Sequence, residues 1–196
     1  MRVNTRVVDR RAQILEATVE VIASRGVHET SFARIIEHAG LSSTRLISYH
    51  FESRDVLLQE ALAYVLDEAA RFMGPRIAQA TTANERLSAY IRSNLEFVKE
   101  WPAGARAAID IIGVLTPPAD EPEAMDTSVV LLEQLFVAGQ AAGEFGAFDP
   151  AMMAMNVRAC IDALVLRSTR SELDLDRNAD ELVLLFSRAT RSDDDA

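Results

Sequence analysis

A run of hydroxyl, cationic and aromatic side chains lies between Gly40 and Phe51. Short hydroxyl groups reach phosphate oxygens or base edges without filling a groove, and an arginine among them can donate two hydrogen bonds to one guanine. The aromatic–histidine pair and the basic residue after it are placed to hold phosphates. The candidate residues for this DNA-directed chemistry are Ser31, Arg34, Ser42, Ser43, Thr44, Arg45, Ser48, Tyr49, His50 and Arg54.

Short amphipathic helices must position these side chains. Ser31 is expected to cap a helix whose apolar positions recur at helical spacing, at Phe32, Ile35, Ile36 and Ala39. Gly40 supplies a turn, Leu41 a buried plug, Ser42 the N-cap of the next helix and Ser53 the N-cap of a longer one. This order is typical of a helix-turn-helix whose second helix is exposed. The alternative is a helical hairpin with solvated polar residues.

The distribution of charge is compatible with DNA binding at one end of the chain. The net charge is −10, but residues 1–57 carry +1 and residues 58–196 carry −11. Arg2, Arg6, Arg10 and Arg11 crowd the start of the chain. Because phosphate binding depends on the local surface, the acidic total does not exclude it.

Composition and motifs limit the other classes of function. No apolar run approaches the roughly 20 residues of a membrane span, and a single cysteine, Cys160, suits a cytoplasmic protein without disulfides. His28, His38 and His50 have no cysteine or carboxylate partners at metal-ligand spacing. No nucleophile, phosphate-loop or dinucleotide motif is present, so neither cofactor nor metal is predicted, and a helical enzyme is the weak rival.

The remaining chain favours helices, which predicts an all-α fold of about nine helices. Gly74-Pro75 is expected to interrupt the fourth helix. Pro122 is expected in the first turn of a later helix, and Asp149 and Pro150 at the start of another. Further helices are predicted over residues 9–25, 84–100, 102–113 and 177–190.

Three segments carry a resemblance to a known family: ILEATVEVIASRG, TSFARIIEHAGLS, and YHF followed by SRDVL. Together they resemble the DNA-binding domain of TetR-family transcriptional regulators over about residues 8–62. Phe51, Arg54 and Leu57 occupy the family's F-x-x-K-x-x-L pattern, with arginine in place of lysine. The stretch from Gly40 to Phe51 is one residue longer than usual, near Ser43 to Arg45.

The resemblance implies two domains: a helix-turn-helix DNA-binding domain over residues 1–57, and a helical effector-binding and dimerisation domain over residues 58–196. It also implies a homodimer on a palindromic operator, with the last two long helices at the interface. The apolar faces assigned to that interface contain Val157, Ile161, Leu164, Val165, Leu182, Leu185 and Phe186. These faces could instead be wholly intramolecular.

The implied function is a repressor that a small apolar or aromatic effector releases from DNA by shifting the fourth helix. The candidate effector-binding residues are Tyr90, Phe97, Trp101, Met125 and Phe136. Asn94, Arg106 and Asp110 are possible polar anchors, and Arg158 with Asp162 is expected to form a solvated ion pair. The alternative is a helical ligand-binding or interaction protein that has lost DNA binding. Activator or repressor action and the effector's identity stay open.

Overall fold

A computed structural model describes residues 9–115, 127–169 and 171–192. This part of the chain contains nine α-helices and no strand, which confirms the all-α prediction. The helices are α1 Arg10–Arg25, α2 Phe32–His38, α3 Arg45–His50, α4 Arg54–Ala78, α5 Ala83–Glu100, α6 Pro102–Leu115, α7 Thr127–Ala141, α8 Pro150–Ser168 and α9 Leu175–Ala189. No described helix is long and apolar enough to cross a membrane. Pro122 and Met125 lie outside the described residues.

The described residues form two compact units. The first holds residues 9–67 and 103–115, and the second holds residues 68–102, 127–169 and 171–192. The functional boundary expected after residue 57 falls inside α4, because this helix runs without a break from Arg54 to Ala78. The first unit therefore extends beyond the helix-turn-helix and includes α6.

In the first unit, local capping groups begin α1, α2 and α4, and end α1, where the sequence predicts. The Asp9 carboxylate accepts hydrogen bonds from the first turn of α1, and Gly26 ends that helix at φ 83°. The Ser31 hydroxyl accepts from the Arg34 N–H, and the Ser53 hydroxyl accepts from the Val56 N–H at 3.2 Å. The side chains of Asp9, Ser31 and Ser53 each satisfy a backbone N–H at a helix start. Gly26 adopts a positive φ that glycine favours at a helix end.

The predicted interruption of α4 at Gly74-Pro75 is wrong, since the helix continues to Ala78. Proline has a helical φ and forfeits one backbone hydrogen bond, so tertiary contacts can retain it near a helix end. Arg76 supplies such contacts in the second unit. Its guanidinium lies 3.8 Å from the Phe72 ring centroid, donates to the Phe72 carbonyl at 2.6 Å and pairs with Glu96 at 3.1 Å.

The second unit is built on α5, which packs against α7, α8 and α9, and on the pairing of α7 with α8. A capping box of Thr82 and Glu85 begins α5. Hydrogen bonds to Thr81 and Thr82 hold the pKa of the Glu85 carboxyl below its ordinary value. As predicted, Asp149 caps α8 with Pro150 in its first turn, whereas α9 begins at Leu175, two residues before the expected start.

Candidate DNA-binding surface

The turn between α2 and α3 has the geometry of a Schellman motif. Gly40 adopts φ 64°, its N–H donates to the Glu37 carbonyl at 3.2 Å, and the Leu41 N–H donates to the Ile36 carbonyl at 2.9 Å. These two bonds satisfy carbonyls at the end of α2 and reverse the chain sharply. The predicted glycine turn is therefore confirmed, although Leu41 is half-buried where a buried plug was expected.

The start of α3 differs from the prediction. Ser42 does not cap this helix, which begins at Arg45 with Thr44 at the N-cap position. The neighbouring hydroxyl of Ser43 instead accepts from the Arg45 N–H at 3.2 Å. Because the two serines are adjacent and chemically identical, the spacing alone did not distinguish them. Ser42 is an exposed residue of the turn.

The two faces of α3 have opposite character. Ile47 and Phe51 are buried in the first unit. Tyr49 is 83% exposed, and its ring contacts that of His50 edge to face at 5.1 Å between centroids. The Arg45 guanidinium has no hydrogen-bond or ion-pair partner among the described residues. Ser42, Thr44, Arg45, Ser48 and Tyr49 are exposed, and Ser43 and His50 are half-exposed.

The other two candidate arginines differ from Arg45, because both are engaged with the loop between α1 and α2. Arg34 pairs with the Glu29 carboxylate at 3.1 Å and also contacts the Glu29 carbonyl. Arg54, at the start of α4, donates from Nη2 to the Val27 carbonyl at 2.6 Å. The sequence identified the two arginines as cations near DNA but gave no sign of these partners.

Two α1 side chains support the ends of α2 and α3. The Gln13 amide donates to the Ala39 carbonyl at 2.9 Å. The Arg11 guanidinium lies 5.4 Å from the Phe51 ring centroid and forms an ion pair with Glu60 of α4. By its sequence position alone, Arg11 belonged with the other arginines of the basic N-terminus. Arg11 lies on the side of the amphipathic helix α1 that faces Phe51 and α4, and this placement was the signal that could have assigned it a supporting role.

The residues predicted to bind an effector lie mainly in the packed interior of the second unit. Phe97 stacks between Phe72 and Trp101, with ring centroids 5.7 and 5.9 Å away, and Phe136 is fully buried beside Phe145 and Phe148. Tyr90 is half-buried, and Met125 lies outside the described residues. Two cavities of about 190 and 380 Å³ occur in this unit, and neither is lined by Tyr90, Phe97, Trp101 or Phe136.

Arg158 is not the solvated residue that the sequence predicted, since its side chain is only 19% exposed. Its Nη1 lies 3.3 Å from both the Tyr90 hydroxyl and the Asn94 Oδ1 on α5, and its Nε donates to Asp162 at 2.8 Å. Burial opposes the charge, but the hydrogen bond to Asp162 and the nearby Tyr90 outweigh it and raise the pKa of Arg158. The other suggested anchors, Arg106 and Asp110, pair with each other on α6 in the first unit.

The residues assigned to a dimer interface divide between two faces of α8 and α9. Four of them are buried within the chain's own second unit, so the expectation that they contact a partner needs correction: Val157, Ile161, Val165 and Phe186. Leu164 and Leu182 are half-buried, and Leu185 is 53% exposed. The exposed apolar side chains of these two helices are Met152, Met155, Leu166, Leu184 and Leu185. Helical periodicity identified apolar positions without showing which side faces inward.

Comparison with known proteins assigns the first unit more firmly. Residues 14–61 match the family described as bacterial regulatory proteins, tetR family. The chain is also similar to the HTH-type transcriptional regulator BetI of Brucella canis, with 32% identity over 85 residues, which are 43% of this chain and 42% of that relative. In that match the chain spans less than half the length of the relative.

Solved structures extend the similarity to the whole fold. A putative TetR-family transcriptional regulator from Rhodococcus sp. has a TM-score of 0.79 and 26% identity, covering 92% of this chain and 98% of that one. AibR, in complex with isovaleryl coenzyme A and operator DNA, has a TM-score of 0.73 and 21% identity, covering 90% of this chain and 97% of AibR.

Proposed function

Since residues 14–61 match the tetR family of bacterial regulatory proteins, we propose that the chain regulates transcription by binding a palindromic operator as a homodimer. In this proposal, a small molecule bound by the second unit releases the dimer from DNA, and the DNA-bound dimer acts as a repressor. The exposed face of α3 carries this proposal, because its hydroxyls, Arg45 and Tyr49 are free of the protein core. They can hydrogen-bond to a major groove and its phosphates.

Footprinting of the DNA beside the gene tests the proposal. We expect a protected palindrome whose half-sites are about one helical turn apart, because two recognition helices of a two-fold dimer enter successive major grooves. The protection should weaken with rising salt, as phosphate contacts release counterions. If the protein protects no sequence even at low salt, the alternative holds: a helical ligand-binding or interaction protein that has lost DNA binding.

Arg45→Ala is expected to weaken operator binding by about 1–3 kcal/mol and to relax specificity at one base pair in each half-site. The reason is that its exposed guanidinium can donate two hydrogen bonds to one guanine edge. Binding to operators with single base-pair changes, measured for the wild type and the variant, checks this. Equal weakening across all sequences would make Arg45 a phosphate contact instead.

The homodimer is proposed to form through the exposed apolar faces of α8 and α9. Met152, Met155 and Leu166 lie on α8 and Leu184 and Leu185 on α9, all outside the core of the second unit. Two such faces can bury one another as a four-helix interface. An apolar surface of this kind costs free energy while it faces water, which favours association.

The effector is proposed to carry an acidic group that Arg158 binds. A largely buried guanidinium is an unusual feature, and two of its contacts are long ones to neutral oxygens. An anion would replace them with charge-assisted hydrogen bonds. The similarity to AibR, which was crystallised with an acyl coenzyme A, makes this compound class the first to test.

Isovaleryl coenzyme A is expected to bind and to change the fluorescence of Trp101, the single tryptophan of the chain. Arg158→Met should weaken this binding about tenfold or more, as loss of a hydrogen bond between charged groups does. Arg92→Met is the matched control, because Arg92 is also paired with an aspartate but lines the cavity of about 190 Å³. Weakening by Arg92→Met alone would place the effector in that cavity.

A further inference from the structure

The loop between α1 and α2, residues 26–31, is held by the side chain of Arg54. Arg54 Nη2 donates to the Val27 carbonyl at 2.6 Å, across 27 residues of sequence. Val27 is only 4% exposed, so water is a poor alternative partner for this carbonyl. A short, charge-assisted hydrogen bond at a buried residue is among the stronger polar contacts in a protein.

Two further features fix the local geometry of this loop. Gly26 adopts φ 83°, and the buried Thr30 hydroxyl donates to the Gly26 carbonyl at 2.9 Å. The position of a Cβ on Gly26 would lie 3.9 Å from the Asp110 carboxylate of α6, within the same unit. The loop therefore lies beside α4 and α6, and the hydrogen bond from Arg54 ties it to α4.

The position of α2 depends on such ties. This helix has seven residues, fewer than an isolated helix needs for stability in water. Side chains hold the backbone on either side of it: Arg54 at Val27 before it, and Gln13 at Ala39 after it. Because the Schellman turn connects α2 directly to α3, displacement of the loop moves the face that α3 presents.

We propose that Arg54 is a positioning residue, which orients the helix-turn-helix through the α1–α2 loop and does not contact a phosphate. The arginine of this segment that is available for DNA is Arg45, whose guanidinium is exposed and has no partner among the described residues. From its residue type and place in the sequence, Arg54 was expected to hold a phosphate. The effect of Arg54 on DNA affinity rests on the proposed function, whereas its effect on the α1–α2 loop does not.

Two matched variants separate the roles, since Arg54→Met and Arg45→Met each remove one guanidinium from the first unit and keep an unbranched stem. Binding to a random-sequence DNA duplex is measured across a salt series. On random-sequence DNA, which lacks the operator's guanine, the exposed Arg45 guanidinium can pair with a phosphate instead, so for Arg45→Met we expect the slope of log affinity against log salt to fall by about 0.9. For Arg54→Met we expect about tenfold weaker binding at every salt concentration, with the wild-type slope.

Hydrogen exchange of the free protein provides a readout independent of DNA. Arg54→Met should speed amide exchange over residues 26–39 about tenfold, and Arg45→Met should leave it unchanged. Gln13→Leu removes the tie at Ala39 without changing charge, so it should also speed exchange in α2 and keep the wild-type salt slope. Arg54→Lys, which retains the charge without the planar fork, replaces the methionine variant if that one fails to fold.

A reduced salt slope for Arg54→Met, with wild-type exchange in the loop, would overturn the proposal and make Arg54 a phosphate contact. Wild-type exchange together with wild-type affinity in Arg54→Met would also overturn the proposal, because the loop would then not depend on Arg54. If the wild-type protein binds no DNA at any salt concentration, the proposed function fails. The exchange comparison would then still decide whether Arg54 holds the loop.

Discussion

Phe51→Ala is expected to abolish operator binding by unfolding the helix-turn-helix. The Phe51 ring is 2% exposed, and its N–H ends α3 by donating to the Ile47 carbonyl at 2.8 Å. Removal of a buried phenylalanine ring costs about 3–5 kcal/mol, a large part of the roughly 5–15 kcal/mol that stabilises a domain. The Arg11 guanidinium also loses the ring on which it lies.

Denaturation followed by circular dichroism, together with gel shifts on the footprinted operator, measures both effects. Tyr49→Ala is the matched control, because it removes an aromatic ring two residues earlier that is 83% exposed. That variant should change the unfolding free energy by less than about 0.5 kcal/mol while weakening DNA binding. If Phe51→Ala retained the wild-type denaturation midpoint, the buried ring would not be what holds α3.

The features that the sequence predicted well are those that a few neighbouring residues determine. Ser31, Ser53 and Asp149 cap helices because a short acceptor side chain reaches backbone N–H groups two or three residues ahead. Gly40 ends α2 because a left-handed position disfavours other residues. The all-α fold follows from the repetition of such signals with apolar positions at helical spacing.

The features that the sequence did not predict depend on residues distant along the chain. The Gly74-Pro75 signal is local, whereas the contact between Arg76 and Glu96 that accompanies the continuous helix crosses 20 residues. The tie from Arg54 to Val27 crosses 27 residues, and no periodicity indicates it. For the same reason, the exposed side of α3 was predictable from its own apolar positions, but the partners of its neighbouring arginines were not.

The assignment of the dimer surface shows a different limit. α8 carries apolar side chains on both of its sides, with Val157 and Ile161 inward and Met152 and Met155 outward. A helix with apolar side chains on two of its sides has no single inward face that its sequence can identify. Only the packing of α5, α7 and α9 against α8 decides which side remains for a partner.

Leu185→Asp is expected to convert the proposed homodimer into monomers. Leu185 is 53% exposed on α9, and the proposed interface would bury it in both protomers. An unpaired charge in a buried interface costs about 3–5 kcal/mol, and two-fold symmetry applies that cost twice. Monomers hold a single half-site, so operator affinity should fall at least about a hundredfold with the loss of bivalent binding.

Sedimentation of the full chain, at concentrations above and below that of the DNA assay, measures the change in mass. Leu131→Asp is the matched control, because Leu131 on α7 is also a leucine and has a similar exposure of 58%. It should leave both the mass and the operator affinity at wild-type values, since α7 is outside the proposed interface. Dissociation by Leu131→Asp but not by Leu185→Asp would instead place the interface on α7.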